Sequence, residues 1–110
     1  MRVAFGLMVA VSLSAVATPV HAAAPMPFGY WTTDDGGERL LIEQSFQCSF
    51  EFPRANSMVG GSCSWNASSN GGILTIINVN QYQPAPIYYN VIWVDEQTIT
   101  VEGDVFHRRQ

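Results

Sequence analysis

From Phe28 onward the apolar positions fall into short runs, broken every few residues by Gly, Asn, Asp and Pro. In the clearest run Phe46, Cys48, Phe50 and Phe52 alternate with Gln47, Ser49 and Glu51. That period of two puts one face of a strand in a core and the other in water. No stretch carries the apolar spacing of a helix of about ten residues. The pattern predicts strands over Gly29–Thr33, Arg39–Glu43, Phe46–Phe52, Met58–Trp65, Ile73–Asn80, Ile87–Val94, Thr98–Glu102 and Val105–Arg109. The connectors between them carry turn chemistry: Asp34-Asp35-Gly36-Gly37, Pro53–Ser57, Asn66–Gly72, Gln81–Pro86, Asp95–Gln97 and Gly103-Asp104. Strands this short and this evenly spaced predict an all-β fold, a small antiparallel meander of about eight strands closed as a barrel or a sandwich.

Two hairpins can be given a register. Cys48 placed opposite Cys63 sets Phe46 against Trp65, Phe50 against Gly61 and Phe52 against Val59, so every pair on that face is apolar or sulfur. A slip by one residue would turn Gln47, Ser49 and Glu51 onto the apolar side. The cysteines are therefore expected to form one structural disulfide among aromatic rings, and they lack the C-x-x-C spacing of a redox pair. Near the C-terminus, a turn at Asp95–Gln97 sets Trp93 against Ile99 and Val91 against Val101, and a turn on Gly103-Asp104 sets Val101 against Phe106. With Trp31, Leu40, Ile42 and Tyr89 added, the interior is expected to be filled by side chains.

The start of the chain has a different character. Arg2 precedes the apolar run Val3–Ala17, Thr18-Pro19 breaks it, and Val20-His21-Ala22 offers small residues for cleavage. This is the three-part layout of a secretory signal over 1–22, with a run shorter than the about 20 residues a membrane span needs. The expected mature chain is a flexible tail at 23–27 and a single β domain at 28–110, with no stable membrane insertion. Its destination is the periplasm or the medium, where a thiol pair oxidises.

Without the leader, 88 of the 110 residues remain, with four arginines, no lysine and nine carboxylates, a formal charge of −5. An acidic domain without lysine is unsuited to nucleic acid, whose phosphates are neutralised by Lys and Arg. A protein partner, and a basic one, suits the charge better.

Candidate chemistry is sparse. His107 is the only histidine beyond the leader, and it reads as an exposed residue of the last strand with no nucleophile near it in sequence. Asp34, Asp35 and Glu38 carry oxygens of the kind calcium takes, but Asp-Asp-Gly-Gly fits an ordinary hairpin turn better. No catalytic residue, metal site or cofactor is expected. The most suggestive surface is Gln81–Asn90, where Tyr82, Pro84, Pro86 and Tyr88 supply rigid contact area for a partner. Tyr89 is expected to face inward, and Ile92 and Val94 share the outer face of Tyr88. The same residues would otherwise cover an open end of the barrel.

Phe28-Gly29-Tyr30-Trp31 opens the first strand with Gly-x-Trp, and the last strand ends in Arg108-Arg109. This layout resembles the calycin pattern of lipocalins and related small barrels, in which a first-strand Trp packs against an Arg near the end. Among exported bacterial members, the metalloprotease inhibitors of the alkaline-protease type are similar in size, in strand number and in having one disulfide. The resemblance implies a structural closing contact between Trp31 and Arg108 or Arg109. It also implies that Ala23–Phe28 matches a tail that enters a protease cleft. The expected function is that of an exported small binding protein, with inhibition of a hydrolase such as a protease or lysozyme as the case the resemblance implies. The alternatives are a carrier of a small apolar ligand and a structural envelope protein without enzymatic activity. The intact mass of the exported protein is expected two hydrogens below the reduced value, and two free thiols would contradict the disulfide.

Overall fold

The computed structural model describes residues 23–109, so the proposed leader at 1–22 and Gln110 lie outside the described residues. Eight antiparallel strands follow one another: β1 (Gly29–Thr32), β2 (Arg39–Ile42), β3 (Gln47–Phe52), β4 (Ser57–Ala67), β5 (Gly71–Asn78), β6 (Ala85–Asp95), β7 (Thr98–Val101) and β8 (Asp104–Arg109). Each pairs with the next, and β8 pairs with β1 to close a barrel. Closure leaves no unpaired strand edge.

Local chemistry accounts for the turns. At β7–β8 Glu102 and Gly103 have φ of 52° and 89°. Positive φ at both central residues marks the two-residue turn whose twist suits a hairpin. Between β1 and β2 the Asp35 carboxylate accepts hydrogen bonds from the Thr33 hydroxyl (2.8 Å) and the Gly37 N–H (2.9 Å). The Pro53–Ser57 connector holds a 3-10 turn at Pro53–Ala55, ended by Asn56 in a left-handed conformation.

Cys48 and Cys63 form the expected disulfide, with Cα atoms 5.8 Å apart, inside the core cluster. The register around it differs by two residues from the expected one. Cys48 pairs with Gly61 and Phe50 with Val59, so the disulfide runs diagonally rather than straight across. A shift of two keeps every residue on its own face, which is why matching apolar faces did not detect it. Phe46 is the residue most affected. It has left the strand at φ 63°, its carbonyl accepts the Cys63 N–H (2.9 Å), and it is half exposed, packed edge-on against Phe28 rather than opposite Trp65. Gly61 permits the irregular strand: at φ 152°, a Cβ there would collide with the Ile77 carbonyl.

On the C-terminal side, Trp93 lies opposite Ile99 and Val91 opposite Val101, as expected. Phe106 pairs with Ile99 and not with Val101, because the turn centres on Glu102-Gly103 and puts Asp104 opposite Val101. Again the face survives and the partner changes.

The interior is full. Trp31, Phe50, Phe106, Leu40, Leu74 and Val91 are at most 2% exposed. Phe50 stacks on Phe52 (4.6 Å between ring centres), tilts against Tyr89 (5.0 Å) and meets Phe106 edge-on (5.7 Å).

One end, the base, is closed by the segment expected to be a flexible tail. Ala24, Met26 and Pro27 are buried there. The indole N–H groups of Trp65, Trp93 and Trp31 donate to the carbonyls of Ala24 (2.9 Å), Pro25 (2.8 Å) and Pro27 (2.9 Å). Arg108 lies 4.3 Å from the centre of the Trp31 ring and donates to the Phe28 carbonyl (2.7 Å). Gly29 leaves the space for this, since a Cβ there would sit 2.6 Å from the guanidinium. Arg109 instead turns outward, to the Thr32 hydroxyl.

Cys63→Ala is expected to lower unfolding free energy by about 2–5 kcal/mol, since it opens the crosslink and removes buried sulfur. Denaturant unfolding measures this, and an unchanged midpoint would contradict it.

Candidate functional site

Opposite the base lies the mouth, where the connectors 33–38, 53–56, 79–84 and 102–103 gather. The inward residues of β3 and β6 bring Phe50, Phe52 and Tyr89 toward it, and the turns add Glu38, Glu102 and Asp104. These line a cavity of about 290 Å³. Tyr89 is only 8% exposed, and among the described residues its hydroxyl has no hydrogen-bond partner. Burial, with the nearby Glu102 carboxylate, pushes its pKa up. Glu38 is pushed up to about 7, first by burial and then by the Asp104 carboxyl beside it, with a smaller push from Asp35.

The three acids considered together in the sequence part company. Asp35 is held at about 2 by the Gly37 N–H, the Thr33 hydroxyl and Arg54. Asp34 faces outward toward His107 (3.4 Å) and Arg109 (3.7 Å). Only Glu38 turns to the mouth. Among the described residues no three His, Cys, Asp or Glu side chains group closely enough to hold a metal ion.

His107 also has a neighbour that sequence order concealed. Its Nδ1 is 3.4 Å from the Thr98 hydroxyl across the β7–β8 pair, and its Nε2 faces Asp34. The order hydroxyl, imidazole, carboxylate has the outline of a nucleophilic relay. It sits on the outer wall with Asp34 mostly in water, and none of the three residues lines the cavity at the mouth. The geometry suits a surface hydrogen-bond chain.

The four residues expected to contact a partner occupy two places. Tyr82 and Pro84 stand on the β5–β6 connector, Tyr82 being 99% exposed, so it covers no open end of the barrel. Pro86 and Tyr88 point outward from β6, opposite Ile77 and Thr75 of β5. Ile92 and Val94 are exposed on the same face as Tyr88 (63% exposed), while Tyr89 turns inward as expected. The sequence carries a signal for this wall: between Arg54 and Asp95 there is no Asp, Glu, Lys, Arg or His. The charged residues beyond the leader all lie in 34–54 and 95–109, so one side of the barrel is uncharged and the other carries the acids.

Comparison with family models, with curated proteins and with solved structures finds no match for this chain. The fold and the two ends of the barrel therefore have to speak for function. Among the described residues no helix is long and apolar enough to cross a membrane.

Glu38 makes stability depend on pH. Its folded pKa of about 7 exceeds the ordinary 4.5, so the native state binds more protons between those values. The contribution is complete below about pH 4.5 and is lost as pH rises to about 7. Unfolding free energy is expected to be higher near pH 5 than near pH 8, by on the order of 1 kcal/mol after screening at the rim, and the melting temperature to follow it. Asp35 acts in the opposite sense but at lower pH, losing its contribution as pH falls from 3.8 toward 2, outside this window. Glu38→Gln is expected to flatten the profile, and a wild-type profile that rises toward pH 8 would refute the assignment.

Proposed function

We propose that this is an exported, non-enzymatic binding protein that captures or blocks another protein, with a hydrolase such as a protease or a lysozyme as the target class. One observation carries the reading: the barrel is filled inside, while its tyrosines and prolines stand outside. Trp31, Phe50 and Phe106 occupy the volume that a carried ligand would need. Tyr82, Pro84, Pro86 and Tyr88 offer large contact area that loses little entropy on binding. The disulfide suits an oxidising compartment, periplasmic or extracellular. An excess of carboxylates favours encounter with a basic partner and repels nucleic acid.

The tail has no part in the contact surface we propose. Ala24–Pro27 is held by three indoles, and drawing it out to fill a cleft would expose Met26 and leave those N–H groups without partners. The connector at 79–84 and the outer face of β6 remain as the surface. Affinity capture with the mature domain as bait, from its own envelope or culture fluid, is expected to recover a hydrolase whose activity falls in proportion to added protein. Tyr82→Ser combined with Tyr88→Ser is expected to weaken the complex by about tenfold or more. A co-purified apolar ligand in native mass spectrometry, with no protein bound, would replace this reading with the carrier.

A further inference from the structure

We propose that the mouth of the barrel is a receptor for an organic cation, an alkylammonium or guanidinium head group inserted against the rings of Phe52 and Tyr89 between the carboxylates of Glu38, Glu102 and Asp104. The proposal deepens the binding role above and rests on it only for the source of the cation.

Four features of the mouth together fit such a ligand. The cavity of about 290 Å³ is near the lower limit of small-molecule sites and holds one extended side-chain end or a small amine. Its floor is aromatic: Phe52 stacks on Phe50, which in turn meets Tyr89. Ring faces attract a partly desolvated cation. Its rim is anionic: Glu38 of the β1–β2 connector meets the Asp104 carboxyl at the start of β8, and Glu102 of the β7–β8 turn lines the same cavity. The fourth feature is Tyr89, a residue only 8% exposed that lines the cavity and whose hydroxyl has no hydrogen-bond partner among the described residues. A hydroxyl without a protein partner offers its oxygen to a ligand, and an ammonium N–H would satisfy it.

Neighbouring positive charge does not fill this need. Arg54 is engaged with Asp35 (3.1 Å) and Arg39 with Glu51 (3.5 Å), both away from the cavity lining. Lysine is absent from the chain, so no ammonium side chain is available internally. The spread of the carboxylates also selects the ligand. No three of them gather around one point as a metal ion requires, whereas a cation several atoms across can meet the adjoining Glu38 and Asp104 carboxyls while its carbon stem lies on the rings. Glu102 keeps its backbone tie, accepting from the Asn90 N–H (2.6 Å), and so presents a fixed side of the rim.

Binding is expected to depend on pH, because Glu38 must be ionised to attract the ligand. The groups facing it are Asp104, Asp35 and Glu102 with the Tyr89 hydroxyl, and none of them is a cation. With the Glu38 pKa near 7, affinity is expected to rise as pH increases through neutrality, with release of a proton on binding.

The test is amide NMR of the purified protein near pH 8, titrated with butylammonium, with Nα-acetyl-lysine-N-methylamide and with the uncharged Nα-acetyl-norleucine-N-methylamide. Saturable shifts centred on 38, 89, 102 and 104 are expected for both cations and not for the norleucine compound. Tighter binding of the lysine derivative than of butylammonium would identify a protein side chain as the source, and the reverse would identify a free amine. Glu38→Gln and Asp104→Asn are each expected to weaken binding about fivefold, and both relieve repulsion between carboxyls, so folded spectra are expected. Tyr89→Phe keeps the ring and removes only the hydroxyl, and it is expected to weaken the lysine derivative as well. Equal shifts with the norleucine compound, no saturable shift at the mouth, or unchanged affinity in both carboxylate variants would overturn the proposal. Cation binding by a protein that captures no hydrolase would leave this site standing and remove the inhibitor reading, and capture without cation binding would do the converse.

Discussion

Three indole N–H groups, brought from β1, β4 and β6 to one end of the barrel, each find a carbonyl oxygen on the short segment Ala24–Pro27. A closed sheet has no edges, but it has two open ends, and a filled core needs a cover at each. At the base the cover is a chain segment with two prolines, which lack N–H groups and so leave fewer donors to satisfy when buried. Tryptophan suits the opposite role, because it offers a large apolar ring and a single donor. Arg108, laid over Trp31 and bonded to Phe28, ties the last strand to the same place. Seam, cover and first strand are thus held by one cluster, and the rest of the barrel can be read outward from it.

That cluster decides where function can be. With the base covered by Ala24–Pro27 and the interior occupied by Phe50, Phe106 and their neighbours, recognition falls to surfaces outside the core, among them the mouth, the outer wall and a groove of about 500 Å³ beside Pro25, Trp93 and Arg108. The mouth and the wall differ in kind. The mouth concentrates carboxylates around aromatic rings, whereas the wall formed by β4, β5 and β6 carries no charge before Asp95 at the end of β6 and presents tyrosine, proline and aliphatic side chains. An acidic protein that needs to meet a partner closely has one side suited to attracting it and another suited to dry contact.

The disulfide illustrates how sequence argument succeeds and slips. Pairing Cys48 with Cys63 required only that both lie on the inner faces of adjoining strands, and alternation with Gln47, Ser49 and Glu51 settled that. Register needed more. Phe46 has positive φ and leaves the sheet, and Gly61 bends β4 where Ile77 approaches, so the strands slide by two. The same slide separates Val101 from Phe106, where Glu102 takes a left-handed conformation that its residue type does not announce.

Alternation and turn residues by themselves determined that this chain is all-β, where its eight strands lie to within a few residues, which side chains other than Phe46 face inward and that its two cysteines join. They did so because these properties are local, set by the two-residue repeat of a strand and the φ preferences of a few turn residues. They also placed Tyr82 and Tyr88 outside and Tyr89 inside. Tertiary structure alone decided the closed barrel, the diagonal disulfide, the docking of Ala24–Pro27 and the meeting of Glu38 with Asp104 across most of the chain's length. Those depend on contacts between residues far apart in sequence. A proline-rich segment looks like a free tail until three distant indoles supply its partners, and a carboxylate looks solvated until closure of the sheet brings another against it.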